Sequence, residues 1–256
     1  MNSTWENKQP MGPIMKLNIY SLLIIFLLLK AGLAIGSEED NMEKQHALNR
    51  KEQCIIQIAA FTADGDLNRL KPALNQGLDA GLTVNEIKEI LVQMYAYAGF
   101  PRSLNGIGTF MAVMDERKKK GIKDEVGKEA SPMPTDRSSL EFGTENQTKL
   151  IGQPVTGPLF DFAPAIDQFL KAHLFGDIFQ RDILNWRERE LSTIAALANM
   201  KGVNSQLQAH YAISMNNGIT PEELHSFVTV LETKCGSEVA RNAQGVLDQV
   251  LKADRK

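Results

Sequence analysis

The apolar positions of this chain recur in steps of three and four, and no convincing period-two alternation marks a strand. The clearest stretch is Arg187 to Thr220. Its first half carries Leu191, Ile194, Ala195 and Ala198 at helical spacing, so one side is apolar and small enough for close packing. Gly202 and Asn204 interrupt the pattern, as a helix stop followed by an N-cap would. The second half sets Val203 (or its cap), Gln206 and His210 on one stripe, because steps of three and four return to the same face. Gly218 ends that helix. Thr220-Pro221-Glu222-Glu223 opens the next with a cap residue, a proline at the first position and an acidic first turn. Glu190 thus enters a small-residue helix pair from one side and His210 from the other.

The same unit is written twice. Ala80-Gly81-Leu82-Thr83-Val84-Asn85-Glu86-Ile87 matches Asn217-Gly218-Ile219-Thr220-Pro221-Glu222-Glu223-Leu224 at an offset of 137 positions (83 against 220). The offset also pairs Gly99 with Gly236, Asn105 with Asn242 and Gly108 with Gly245, and one position less pairs Ile58-Ala59-Ala60 with Ile194-Ala195-Ala196. A register held this long argues for duplication. The predicted architecture is all-α, a tandem repeat of two helical units over 37–120 and 158–256. Residues 121–157, rich in Gly, Pro, Ser, Thr and charge, read as a linker. The cationic run Arg117-Lys118-Lys119-Lys120 reads as a solvated helix end favoured by the dipole.

The copies differ where chemistry would sit. Ala73 stands at the place of His210, and Cys54 (or Gln53, if the gap moves) at that of Glu190. The first copy carries instead Tyr95-Ala96-Tyr97-Ala98-Gly99-Phe100-Pro101-Arg102-Ser103. There Phe100-Pro101 breaks one helix and the next begins near Arg102 or Ser103. Two tyrosines and an arginine beside a helix start suit an anionic group, with Tyr97 and Arg102 as candidate substrate contacts.

Charge narrows the partners. Lys and Arg number 28 against 31 Asp and Glu, a net charge of −3 with no long basic run, so nucleic acid is not implied. Lys16, the apolar run Ile19 to Leu29, and the small residues up to Ser37 describe a secretory signal over 1–36, with Met15 a possible true start. The run is shorter than the roughly 20 residues a spanning helix needs. The expected location is therefore periplasmic or secreted, with no stable membrane span after cleavage. Cys54 and Cys235 lie at unlike positions of the two units and read as two buried free thiols rather than a disulfide. The histidines lack ligand spacing, so no metal is indicated.

The pattern "R-E-L, small apolar helix, histidine, N-G-[IL]-T-x-E-E" resembles the carboxymuconolactone decarboxylase family, which also holds the alkylhydroperoxidase D-type peroxidases. The Tyr-x-Gly-x-Pro element at 97–101 and His173-Leu174-Phe175-Gly176-Asp177-Ile178-Phe179 are similar to its two-domain members. The likeness covers roughly Leu48 to Leu251. It implies an all-helical fold of two carboxymuconolactone-decarboxylase-like units. It further implies self-assembly, a trimer of two-unit chains, and Glu190 and His210 as the proton-handling pair. The peroxidase members carry a C-x-x-C-x-x-x-H stripe. Here its two cysteine positions are Val203 and Gln206, which leaves Gln206 a candidate contact for a small substrate.

His173 sits on an apolar helix face, where core packing is the favoured reading and a second proton-transfer role the alternative; it completes the candidate substrate-binding set. His46 and His225 carry no pattern. A glutamate against an imidazole fixes its tautomer and raises its basicity. The function that follows is a cofactor-free acid–base enzyme, decarboxylase or isomerase in type, on a small carboxylated or lactone-like molecule. The alternatives are a thiol peroxidase and a non-catalytic exported binding module. Mass spectrometry of protein from its native host is expected to show a start close to Ser37. An intact Met1 or Met15 terminus would contradict the signal.

Overall fold

The computed structural model describes residues 48–254; the expected signal over 1–36 and His46 lie outside the described residues. In chain order the helices are α1 (Arg50–Asp64), α2 (Leu67–Asp79), α3 (Val84–Ala98), α4 (Phe100–Lys119), α5 (Ser139–Ile151), α6 (Pro158–Phe162) and α7 (Pro164–Phe169). A π-helix follows (Leu170–Ile178), then α8 (Trp186–Ala198), α9 (Asn204–Asn216), α10 (Pro221–Lys234) and α11 (Ser237–Asp254). No strand occurs among the described residues, and none of their helices is long and apolar enough to cross a membrane.

Two four-helix sets, α1–α4 and α8–α11, repeat in register down to their caps. Asn49 closes a capping box with Glu52 at the start of α1, and Asn185 closes the matching box with Glu188 at α8. Thr83 with Glu86 opens α3, and Thr220 with Glu223 opens α10. Each box satisfies helix N–H groups that have no partner in the first turn. Glu188 is thereby accounted for as a cap. Gly99, at φ +84, links α3 to α4, which starts at Phe100 with Pro101 in its first turn.

Helices α1 and α8 are buried almost all round, as central helices are. Ile55, Ile58, Ala59, Leu191, Ile194 and Ala195 are fully buried in one cluster that draws on both repeats. Alanines at 59, 60, 195 and 196 let the two helices approach closely. At their N-terminal ends Arg187 bridges Glu52 of the first repeat (2.8 Å) and Glu223 of the second (2.7 Å).

The stretch 121–157 is more than a connecting linker. Its first part lies over the start of α3, where Val84 and Asn85 N–H groups donate to the Glu125 and Val126 carbonyls. Arg117 holds it there by pairing with Asp124 at 2.7 Å and Asp79 at 2.9 Å, so this member of the cationic run is buried rather than solvated. Farther on comes α5, whose inner face is Phe142, Gly143, Asn146, Gln147 and Leu150. A face built half of Gly, Asn and Gln carries no apolar period, which is why composition reads it as linker.

That face packs on the π-helix through two glycines. A Cβ on Gly143 would overlap the Lys171 carbonyl oxygen, and one on Gly176 the Ser139 carbonyl oxygen. The wider turn of a π-helix also shifts its side chains relative to an α-helical stripe. Leu174, Phe175, Ile178 and Phe179 go inward, while His173 stays half exposed and pairs with Asp177 at 2.7 Å. The expectation of core packing for His173 is corrected accordingly. Gly143→Ala and Gly176→Ala should each cost about 1–3 kcal/mol or more by forcing the helices apart. Gly245→Ala, in α11 with open space around it, should be neutral or stabilising by up to about 1 kcal/mol. Thermal unfolding of the three variants checks this.

Candidate active site

A buried polar seam joins α3 to α8 and sets the site. Glu89, Gln93 and Tyr97 follow one another at steps of four on α3, which puts all three on one face. Opposite them lie Arg189, Glu190 and Thr193 of α8. Arg189 has no exposed surface. Its guanidinium donates to Glu89 Oε1 (2.7 Å), Gln93 Oε1 (2.9 Å) and the Arg181 carbonyl (2.8 Å), and lies over the Phe179 ring. Gln93 Nε2 donates back to the Arg189 carbonyl and to Thr193 Oγ1, each at 3.0 Å. Arg181 supplies Glu89 with a second cation at 3.0 Å. Burial works against the Arg189 charge and lowers its pKa, while the Glu89 carboxylate opposes that shift.

The seam fixes the rotation of α8, and so it aims the next residue. Glu190 is fully buried, and its Oε2 meets His210 Nδ1 from α9 at 2.8 Å. Only about an eighth of the His210 side chain is exposed. With Nδ1 held by the carboxylate, Nε2 is the nitrogen available for proton transfer. Tyr97, from the other repeat, sets its ring edge-on to the imidazole at 5.8 Å between centroids. Its hydroxyl and Glu190 Oε1 are buried, and neither has a hydrogen-bond partner among the described residues. Burial and then the Glu190 charge push the phenol pKa far up, so Tyr97 stays a neutral O–H donor.

Comparison with known proteins follows the same two units. The model of the carboxymuconolactone decarboxylase family matches residues 37–109 and again 164–249, more than half of the chain. The chain belongs to the carboxymuconolactone decarboxylase family. A relative described as 4-carboxymuconolactone decarboxylase, from Acinetobacter baylyi, is 26% identical over 121 residues. That alignment spans 90% of the relative and 46% of this chain.

Within this family member the candidate residues divide. Glu190, His210 and Tyr97 meet. Arg102 does not join them: its guanidinium donates to the Ala63 carbonyl at the C-terminal end of α1, where a cation complements the helix dipole. Gln206 is exposed and its Oε1 accepts from Ser205 Oγ, because α9 begins only at Asn204 and its first turn points outward. His173 pairs with Asp177, which also accepts from Ser139 Oγ, and its ring lies 5.6 Å from that of Tyr95. Glu89, Gln93, Arg189 and Thr193 were not singled out from the sequence. The signal that could have found them is the polar i, i+4 spacing inside two otherwise apolar helices.

The thiols occupy the core rather than the site. Cys54 is buried, and burial raises its pKa; Cys235, half buried, is pushed up to about 11, again by burial first. Neither is a thiolate at neutral pH, the form peroxide chemistry requires. Both cysteines in the folded protein should therefore react with a disulfide reagent at pH 7.5 at least about tenfold more slowly than free cysteine. Unfolding in guanidinium should release both at once. Fast labelling of native Cys54, or its oxidation by stoichiometric peroxide, would contradict this.

Proposed function

We propose that this protein is an acid–base enzyme of the decarboxylase type, acting without a cofactor on a small lactone or unsaturated acid that bears a carboxylate. The observation that carries the proposal is the His210 Nδ1–Glu190 Oε2 contact, a carboxylate with no exposed surface holding an imidazole that keeps a little. Family membership and the description of the A. baylyi relative as a 4-carboxymuconolactone decarboxylase support the same reading.

The chemistry needs little more than this pair. When the bond to the carboxylate breaks, CO2 leaves and the electron pair moves into the conjugated carbonyl, giving an enolate. The imidazolium of His210 returns a proton to carbon through Nε2, and solvent reprotonates the ring. Glu190 stabilises the charged imidazolium and fixes its orientation, a positioning role.

One observation favours a second reading, a binding module with an inherited fold. The first repeat holds Cys54 and Ala73 at the matching places and so has lost both the carboxylate and the imidazole. The two readings separate by assay. Release of CO2 is measured with 4-carboxymuconolactone and related unsaturated lactone acids. His210→Asn keeps a donor toward Glu190 but cannot shuttle a proton, and Glu190→Gln removes the orienting charge. Each should lower kcat by about 10²–10⁴-fold while helical content is retained. Absence of turnover by the unaltered protein, or indifference to both substitutions, would favour the binding module.

A further inference from the structure

Of the four buried side-chain oxygens without a hydrogen-bond partner among the described residues, two lie in the site and point to a third member of it. Tyr97 Oη and Glu190 Oε1 are both shielded from solvent, and neither has a hydrogen-bond partner among the described residues. Buried polar atoms are ordinarily paired, and leaving two unpaired side by side is costly. The carboxylate is close enough to bear on the phenol, and the phenol ring stands edge-on to His210. Thr193 Oγ1, which donates to the Arg189 carbonyl at 2.9 Å and accepts from Gln93 at 3.0 Å, also bears on Tyr97 and keeps one lone pair free, but the phenol makes no well-formed hydrogen bond to it.

We propose that Tyr97 is a catalytic residue whose hydroxyl donates to the carbonyl oxygen of the substrate, so that the active site is shared between the two repeats. The inference rests on the acid–base reading given above. It narrows the substrate class to molecules with a carbonyl oxygen conjugated to the carbon that loses CO2, such as an unsaturated lactone acid. As the C–C bond breaks, the electron pair arrives on that oxygen and the Tyr97 O–H holds the resulting enolate. The phenol proton stays on Tyr97, and the proton delivered to carbon comes from His210. A donor aimed at an oxygen where charge develops stabilises the transition state more than the bound substrate. Glu190 Oε1, facing the same space, repels a second carboxylate there and favours the neutral carbonyl end of the molecule.

Tyr97→Phe removes one oxygen and no packing volume. Turnover of 4-carboxymuconolactone is compared in the full chain carrying no substitution, Tyr97→Phe, His210→Asn and Glu190→Gln. A second readout is binding of the saturated probe 5-oxotetrahydrofuran-3-carboxylate, followed by calorimetry. Tyr97→Phe is expected to lower kcat by about 10²–10³-fold, while binding of substrate, read as KM, and of the probe weaken alike, each by no more than about tenfold. The thermal midpoint should hold or rise, because a buried unpaired hydroxyl is gone. Full activity and probe affinity in Tyr97→Phe, with His210→Asn inactive, would overturn the role of Tyr97 and leave the acid–base reading intact. Loss of activity through a collapsed thermal midpoint would likewise count against it. A chain that neither turns over the lactone nor binds the probe would overturn both.

Discussion

Everything at the centre of this molecule turns on a guanidinium that water cannot reach. Arg189 lies where the two repeats meet, and a buried cation is tolerable only where opposite charge and acceptors surround it. Glu89, Gln93, the Arg181 carbonyl and the Phe179 face answer its two terminal nitrogens and its plane, while Nε has no partner among the described residues. Because Glu89 and Gln93 sit on α3 and Arg189 on α8, satisfying the charge fixes how these helices cross and how each is rotated. One step along α8 from the cation comes Glu190, and one turn along α3 from Gln93 comes Tyr97. The meeting of those two residues with His210 follows from the seam.

Duplication supplied the frame, and divergence supplied the chemistry on one side of it. The mate of the α3–α8 crossing is α10 on α1, where Ser226, Val230 and Gln53 replace Glu89, Gln93 and Arg189. That crossing has no buried cation; Ser226 and Gln53 instead tie down the entry of the chain at Leu48. One crossing became a polar seam with an ion pair and a histidine beside it, while the other kept an apolar interior. An apolar seam is the cheaper solution for stability, so the polar one costs free energy that packing alone does not call for. Sites that break a local rule in this way are where activity is expected.

The helices, their caps and the repeat register were legible in the sequence because they rest on local rules. Asn185 with Glu188, Thr220 with Glu223 and the apolar spacing of Leu191 and Ile194 each act within one or two turns. The Glu190–His210 pair was legible because the repeat exposes it as an asymmetry. Less legible were features that depend on the partner across a crossing. Arg102 suits an anion at a helix start, yet in the fold the end of α1 claims it. His173 follows an α-helical stripe that a π-helix does not keep, and Gln206 lies in a first turn that points outward. The helix α5 hides behind a face of Gly, Asn and Gln that only a close backbone crossing explains. Arg189 looks like any surface arginine until Glu89 and Gln93 are placed opposite it.

Whether His210 is a proton-transfer group held by Glu190, with Tyr97 of the other repeat edge-on to its ring, is tested by nitrogen-15 NMR of the imidazole. The chain is labelled at histidine and recorded at neutral pH with and without a saturating unsaturated lactone acid. The account predicts that Nδ1 carries the proton in the free protein, that Glu190→Gln weakens this preference, and that the ligand shifts Nε2 strongly. A neutral ring protonated on Nε2 alone in the free protein, or an imidazole that registers neither Glu190→Gln nor the ligand, would contradict it.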